Sequence, residues 1–585
     1  MNKPPADSLQ SSHTVKPLLP TSRRAMLGLI FAIVVALVAW FAGAEYRSLT
    51  EPDEGRYAEV AREMMATGDW IVPRTNGFKF YDKPVLHYWA TAVAFEAFGV
   101  HNWTARLWTL LAGLISVVSI GYAGMRVFGR REGIIAALVL GSSFLCVVGS
   151  HVNSLDMGLT AFLSLLLGAF LIAQHHAADV AICRRWMWLT WLAMALAVMT
   201  KGVIAIVLPA AILFFYMLWQ RDWGLLRRLH LFSGLMIVLV ICLPWFIAIG
   251  RADSNFYGFF FIHEHLERFL SKTHDRFQPW WFFLPVIVFG AMPWSLFLPA
   301  ALRRGMDHQS GVFQPARLLL LWCAMFLLFF SISSSKLALY ILPLFPALAL
   351  LIGIAAARMS SRALIFRLLP IAIITTLAAI VLGFFPGLLP LHEPRAANLA
   401  FVQIAAIAVA LLSLASWLAL WFCRQQKIVV GIAAVAFGGL VCTQGLMIGF
   451  QQLEPANSAD SMAALAAPYI RADTPVYSVK FYFRGLPFYL QRLVTVAYDT
   501  PTDLVAGMAW QPELTIAELD GFVAAWRAHP GALAFIRPDV YTELREHHLP
   551  MTLIADRQPI VMIVQSPLDA RRSDAIADTP AGQSP

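Results

Sequence analysis

The stretch RRAMLGLIFAIVVALVAWFAGAEYRSLTEPDEGRY, residues 23–57, decides the fold class. Two arginines precede an apolar run over 25–45, close to the roughly 20 residues that cross a bilayer as a helix. The run passes at once into Thr50-Glu51-Pro52-Asp53-Glu54-Gly55-Arg56-Tyr57, the densest polar cluster in the chain. A membrane helix that opens onto concentrated charge places that charge at a membrane surface. The apolar run is too long for a leader's h-region, and no small-residue cleavage site follows before the polar motif. The expectation is a retained first helix, with residues 1–24 as a cytoplasmic tail.

The same pattern recurs along the chain. Of 585 residues, 59% are hydrophobic and 14% charged, against about 45–50% and about 25% in soluble domains. Further apolar runs cover 104–127, 133–150, 156–175, 186–200, 202–220, 231–250, 280–302, 317–333, 337–357, 365–386, 400–423 and 428–450. They are too long and too continuously apolar for barrel strands, so an α-helical polytopic membrane protein of about 13 spans is predicted. Alternate connectors are basic, with Arg130-Arg131, Arg184-Arg185, Arg227-Arg228, Arg303-Arg304, Arg358 with Arg362, and Arg424 with Lys427. That places them in the cytoplasm. It also accounts for the net charge of +9 without a nucleic-acid partner. The six cysteines lie in or beside apolar runs and read as small buried hydrophobes.

Two outer segments break the charge rule. Residues 46–103 carry Arg47, Arg56, Arg62, Arg74, Lys79 and Lys83, and residues 251–279 carry Arg251, Arg268, Lys272 and Arg276. Cations on the outer face need a reason, and anion binding is one. Both segments contain helical patterns suited to the headgroup plane, near 52–98 and 256–270, although a solvated outer domain is the alternative. After the last run the composition changes. A small α/β domain is predicted over 451–568, outside the cell membrane, with strands at Val476–Val479, 493–498, Leu533–Ile536, 553–555 and Ile560–Val564 and a helix near 541–547. A disordered tail is expected over 569–585.

The candidate site residues cluster in these outer segments. Asp53 and Glu54 beside Arg56 and Tyr57 suit a sugar phosphate. A carboxylate binds hydroxyls or an amine, and an arginine holds phosphate by paired hydrogen bonds. Thr50 with Asp53 also fits a capping box, and Asp53 with Arg56 a plain i,i+3 pair. In Tyr81-Asp82-Lys83-Pro84, Lys83 precedes a helix start, a phosphate site or a snorkelling anchor. Asp156 enters a membrane helix, either as a functional carboxylate or as an N-cap. His263 and Glu264 are weak metal candidates without a fixed third ligand, and Arg268 on the same segment suits phosphate better. Lys201, Lys336 and Tyr340 lie near the outer surface, where each can line a headgroup cavity or anchor its helix. Walker, GxGxxG, GxSxG and zinc signatures are absent from the sequence.

TEPDEGRYAEVAREM at 50–64, YDKPVLHYW at 81–89 and Asp156 together resemble the aminoarabinose transferases that modify lipid A. These belong with the oligosaccharyl and protein mannosyl transferases of GT-C fold, and the resemblance runs from the spans through the interfacial helices to the C-terminal domain. It implies an undecaprenyl-phosphate-linked aminosugar as donor and a lipid A phosphate as acceptor. It also implies a bacterial inner-membrane location with the site facing the periplasm, and resistance to polymyxin and cationic peptides as the outcome. By the same resemblance Arg56, Lys83 and Arg268 match donor-phosphate ligands, and Asp53 and Asp156 match the acidic, catalytic positions. Tyr57, Tyr81, His263 and Tyr340 match the pocket lining, beside which Glu54, Lys201 and Glu264 are candidates. No cofactor is required by this chemistry, and a monomer is expected. Relatives with similar first loops glycosylate proteins or other glycans. A lipid flippase would instead show two matching halves with broken helices and midplane charges.

Overall fold

The computed structural model describes residues 23–261, 278–307, 312–386, 395–456, 458–546, 548–557 and 560–564. Residues 1–42 form one unit, whose described part is the helix Arg23–Phe41, and residues 43–585 form a second.

Within the second unit the fold class is as predicted, a helical membrane domain followed by a small sheet domain. Among the described residues, 8 helices are long and apolar enough to span, and up to 10 if each of two bent pairs is one span. Shorter apolar helices are Met26–Phe41, in the first unit, and Ile204–Gln220. The expected run 133–150 is broken: Arg130–Ser142 meets Phe144–Ser150 at 63°. Its cause is local. Ser143 is extended, and Ser142 and Ser143 turn their hydroxyls back onto the carbonyls of Leu138 (2.6 Å) and Val139 (2.7 Å). The expected run 280–302 bends by 108° between Phe283–Gly290 and Ser295–Met306, where Pro293 cannot donate to a helix ladder. Val180–Lys201, which contains the expected run 186–200, is 22 residues long, but its first turns carry Arg184 and Arg185. Leu155–His175 is the central helix, with 94% of its apolar window buried, whereas Leu231–Ala252 and Ser361–Phe384 bury only 28%. The last two present exposed side chains such as Phe232, Phe366 and Phe384 to lipid.

The C-terminal domain carries a mixed sheet. A hairpin comes first in the chain, β1 (Arg74–Thr75) and β2 (Phe78–Lys79), turned by Asn76-Gly77 with φ of 54° and 82°. Two positive φ angles in succession are what Asn-Gly supplies. The sheet then comprises β3 (Val476–Val479), β4 (Thr495–Ala497), β5 (Thr515–Ile516), β6 (Leu533–Ile536), β7 (Thr552–Arg557) and β8 (Ile560–Val564). Their order is β5-β4-β3-β6-β8-β7, with β8 antiparallel to both β6 and β7 and the other neighbours parallel. Central strands β3, β6 and β8 are buried on both faces, so they read as continuous apolar runs. Tyr477, Phe522 and Trp526 fill one face, and Leu486, Phe535 and Met562 the other. The helix expected near 541–547 is Pro538–Glu546. The expected disordered tail lies outside the described residues.

One expectation is corrected. The helix Asp53–Thr67 lacks the solvated polar face that its pattern suggests: every residue from Glu54 to Met64 is buried. Its charged face finds partners in protein. Arg62 donates to both oxygens of Glu59 at 2.7 Å, and the Gly77 N–H of the hairpin donates to Glu63 at 3.0–3.1 Å. The hairpin tip is itself docked on the C-terminal domain, because Asn76 exchanges hydrogen bonds of 2.7 and 2.8 Å with the Val494 backbone. The second helix, Leu86–Phe98, keeps Val93 and Phe98 exposed on its greasy side, as an interfacial helix requires.

Candidate active site

The site starts at the first turn of Asp53–Thr67. Pro52 stands at its N-cap and has no side-chain acceptor. The Thr50 N–H and hydroxyl instead donate to Glu54 at 3.1 and 2.8 Å. The expected Thr50–Asp53 capping box is therefore not formed, and Glu54 closes the turn. Arg106 grips both oxygens of Glu54 at 2.8 Å, and the Asn153 N–H adds a third contact at 2.8 Å. Burial alone would raise the Glu54 carboxyl, but Arg106 and its other partners hold it down at about 2. Glu54, expected in the pocket, is thus a buried brace. Arg106 directs its remaining donors to the carbonyls of Ala44, Arg47 and Ser48 at 2.6–2.9 Å. It is fully buried at the start of the helix Asn102–Val127, so all five N–H groups are matched.

With Glu54 committed, Asp53 faces Arg56. The Arg56 Nη2 lies 2.5 Å from Asp53, and its Nη1 lies 2.9 Å from Asp503 of the C-terminal domain. The guanidinium is stacked between the rings of Tyr57 (4.9 Å) and Phe80 (5.4 Å). Its buried Nε makes no hydrogen bond with any described residue. Asp503 is also held by Arg484 at 2.7 Å. Burial pushes the Asp503 carboxyl up, but the two arginines hold it at about 2. Arg484 and Gly485 in turn donate their backbone N–H groups to Glu51 at 2.9 and 2.7 Å. This seam needs glycine: a Cβ on Gly55 would lie 2.5 Å from the Gly485 Cα.

The second motif packs beside the first. Lys83 lies 2.9 Å from the Asp82 carboxylate and donates to the Asp82 carbonyl at 2.6 Å. The Tyr81 hydroxyl donates to Asp253 at 2.7 Å, and Lys79 pairs with the same carboxylate at 2.8 Å. Tyr81 thus ties the first outer segment to the start of the second. Trp510 of the C-terminal domain packs on both, 5.4 Å from the Tyr81 ring and 5.3 Å from Phe259. Tyr57 packs edge-on against His87 at 5.9 Å. His87 shares a 3.0 Å hydrogen bond with Asn153, and burial lowers it to about 4, so it is neutral at physiological pH.

Asp156 forms a third group. It lies in the first turn of Leu155–His175, where Ser154 and not Asp156 takes the N-cap position. Its carboxylate is ion-paired with Lys201, whose ammonium sits 4.7 Å over the Tyr340 ring. Three sequence candidates from three helical segments therefore converge. Asn153, three positions before Asp156, contacts Glu54, the neighbour of Asp53, so both groups branch from one buried polar knot. Lys336 is buried and donates to the Gln278 and Ser333 carbonyls, which makes it an anchor. His263, Glu264 and Arg268 lie outside the described residues. Among the described residues there is no group of three or more His, Cys, Asp or Glu that could hold a metal ion.

Sequence reasoning missed Arg106, Asn153, Arg484 and Asp503. Arg106 had a signal, a charge inside an apolar run. Asp503 had none, because nothing local marks an aspartate whose partner is 447 positions away.

Comparisons with known proteins bear on this arrangement. The profile described as dolichyl-phosphate-mannose-protein mannosyltransferase matches residues 82–247, and that of the aminoarabinose transferase C-terminal domain matches 462–565. The crystal structure of ArnT from Cupriavidus metallidurans bound to undecaprenyl phosphate superposes with a TM-score of 0.87 at 34% identity. The superposition covers 93% of this chain and 99% of that one. The chain belongs to the aminoarabinose transferase family. As a member of that family it is a multi-pass inner-membrane protein. Curated relatives carry the name undecaprenyl phosphate-alpha-4-amino-4-deoxy-L-arabinose arabinosyl transferase. This family member is 36% identical over 309 residues to the one from Pseudomonas aeruginosa strain LESB58, covering 52% of the chain and 54% of that protein. It is 34% identical over 343 residues to the one from Erwinia tasmaniensis, covering 57% and 61%. The chain thus spans little more than half the length of the curated relatives it matches.

Proposed function

We propose that this chain transfers 4-amino-4-deoxy-L-arabinose from undecaprenyl phosphate to a phosphate of lipid A, at a site facing the periplasm. The observation that carries this reading is the set of part-buried ion pairs Asp53–Arg56, Asp82–Lys83 and Asp156–Lys201 in a fold that overlays a relative crystallised with undecaprenyl phosphate. In the proposed reaction an anionic oxygen of the acceptor phosphate attacks the anomeric carbon. A new C–O bond forms as the bond from that carbon to the donor phosphate breaks, with inversion. The electron pair leaves on undecaprenyl phosphate, and Lys83, Arg56 and Arg268 offset its growing charge. Asp53 and Asp503 keep the Arg56 guanidinium plane in position.

The acceptor oxygen is already ionised at neutral pH, so no strong general base is needed. Asp53 and Asp156 would bind the sugar's ammonium and hydroxyls and stabilise positive charge at the anomeric carbon. Asp156 keeps Lys201 as a counter-ion, which holds the carboxylate in place beside Tyr340. The scheme requires no divalent metal.

The test is the mass of lipid A in cells that lack their own transferase. Expression of this chain should add one or more aminoarabinose units, in membranes treated with chelators as well as untreated. Sugar appearing on protein or another glycan would overturn the acceptor assignment. Loss of activity with chelator and rescue by zinc would overturn the metal-free scheme. Asp53→Asn and Asp156→Asn should each remove most activity while the donor still binds, because the loss falls on the transition state.

A further inference from the structure

The helix Phe345–Ala357 follows the turn that carries Tyr340, so its C-terminal end lies about 20 Å away along the axis, at the opposite face of the membrane domain. There, a cavity of about 280 Å³ opens between that end and the end of Leu298–Met306. It is lined by Arg303, Arg304, Arg358 and Asp307, with Ala355 and Met359 among the apolar lining. Arginine near a helix C-terminus is favoured by the helix dipole, and that accounts for basic residues at each end separately. It does not account for three of them facing one concavity. Arg304 is held by Asp307 at 2.7 Å, whereas Arg303 and Arg358 form no ion pair with any described residue. The lining therefore keeps two uncompensated positive charges on two different helices.

We propose that this cavity binds the phosphate-bearing headgroup of an anionic phospholipid. A lipid with two phosphodiesters joined by a glycerol matches the two open guanidinium groups, and its acyl chains continue into the bilayer beside Met359. Basic pockets between transmembrane helices recognise such headgroups. The face is cytoplasmic in the topology proposed above, where anionic lipids concentrate. Phosphate geometry suits arginine, whose fork donates two parallel hydrogen bonds.

The experiment uses the full-length protein in nanodiscs of phosphatidylethanolamine doped with cardiolipin, with native mass spectrometry counting the lipid that stays bound. Wild type should retain cardiolipin, and Arg303→Gln with Arg358→Gln should weaken retention at least about tenfold. Both arginines are exposed, so the double variant should stay monodisperse. Asp307→Asn, which frees Arg304 from its ion pair, should raise retention. Equal retention in wild type and double variant would overturn the site. Stabilisation by inorganic phosphate to the same extent, with no preference for the lipid, would overturn the lipid assignment.

Discussion

Arg56 of the membrane domain and Asp503 of the C-terminal domain form an ion pair of 2.9 Å across 447 positions of sequence, and both side chains are largely buried. The pair makes the C-terminal domain a structural part of the site, because Asp503 fixes the guanidinium that also contacts Asp53.

Removing one partner of a buried ion pair leaves the other charge uncompensated. Asp503→Ala should therefore lower stability by about 3 kcal/mol, the low end of what such losses cost, since Asp53 still faces Arg56. Thermal unfolding in detergent measures this. Donor affinity should fall as well, because Arg56 loses its orientation. Unchanged melting and unchanged undecaprenyl phosphate binding would show that the pair does nothing for the site.

The seam beneath this pair should respond to pH. Burial pushes the Glu51 carboxyl up to about 7 from its ordinary 4.5, against the pull of the Gly485 and Arg484 N–H groups. A raised carboxyl favours the protonated form in the folded state. Its contribution to stability is complete below pH 4.5 and is lost as pH rises through about 7. Glu51→Gln should flatten the dependence of melting temperature on pH across that window. A variant that keeps the full wild-type slope would exclude Glu51 as its source.

Lys201 is expected to act through Asp156. Lys201→Met removes the ion pair and the cation over Tyr340 while keeping most of the apolar stem. Turnover should fall at least tenfold, the scale of about 1.4 kcal/mol in the barrier, with donor binding little changed. Equal losses in binding and turnover would instead make Lys201 a donor ligand.

The approach of Gly55 to Gly485 leaves no room for a side chain. In Gly55→Ala the new methyl would meet backbone at 2.5 Å, which only a shift of the C-terminal domain can relieve. Overpacking of this kind costs about 1–3 kcal/mol. The variant should be cut faster by protease between 453 and 486 than wild type. Gly383→Ala, at a helical glycine where a Cβ would meet nothing within 4 Å, controls for loss of glycine itself. Identical digestion of Gly55→Ala and wild type would mean that the domains do not meet tightly here.

Sequence alone determined the elements whose signals are local. Apolar runs near 20 residues specify membrane helices because lipid forces each backbone to satisfy itself. Strands β3, β6 and β8 were legible as short apolar runs because both their faces are covered. Asp53, Arg56, Lys83 and Asp156 were legible because charge at or near a span demands an explanation. Tertiary structure alone decided what those charges touch. The helix Asp53–Thr67 has the pattern of an interfacial helix, yet it is buried because a domain 400 positions later covers it. Glu54 and Asp53 are adjacent and chemically alike, but Arg106 takes one for the scaffold and leaves the other to Arg56. No periodicity separates them. Which carboxylate serves the site and which braces it depends on partners brought together only when the chain has folded.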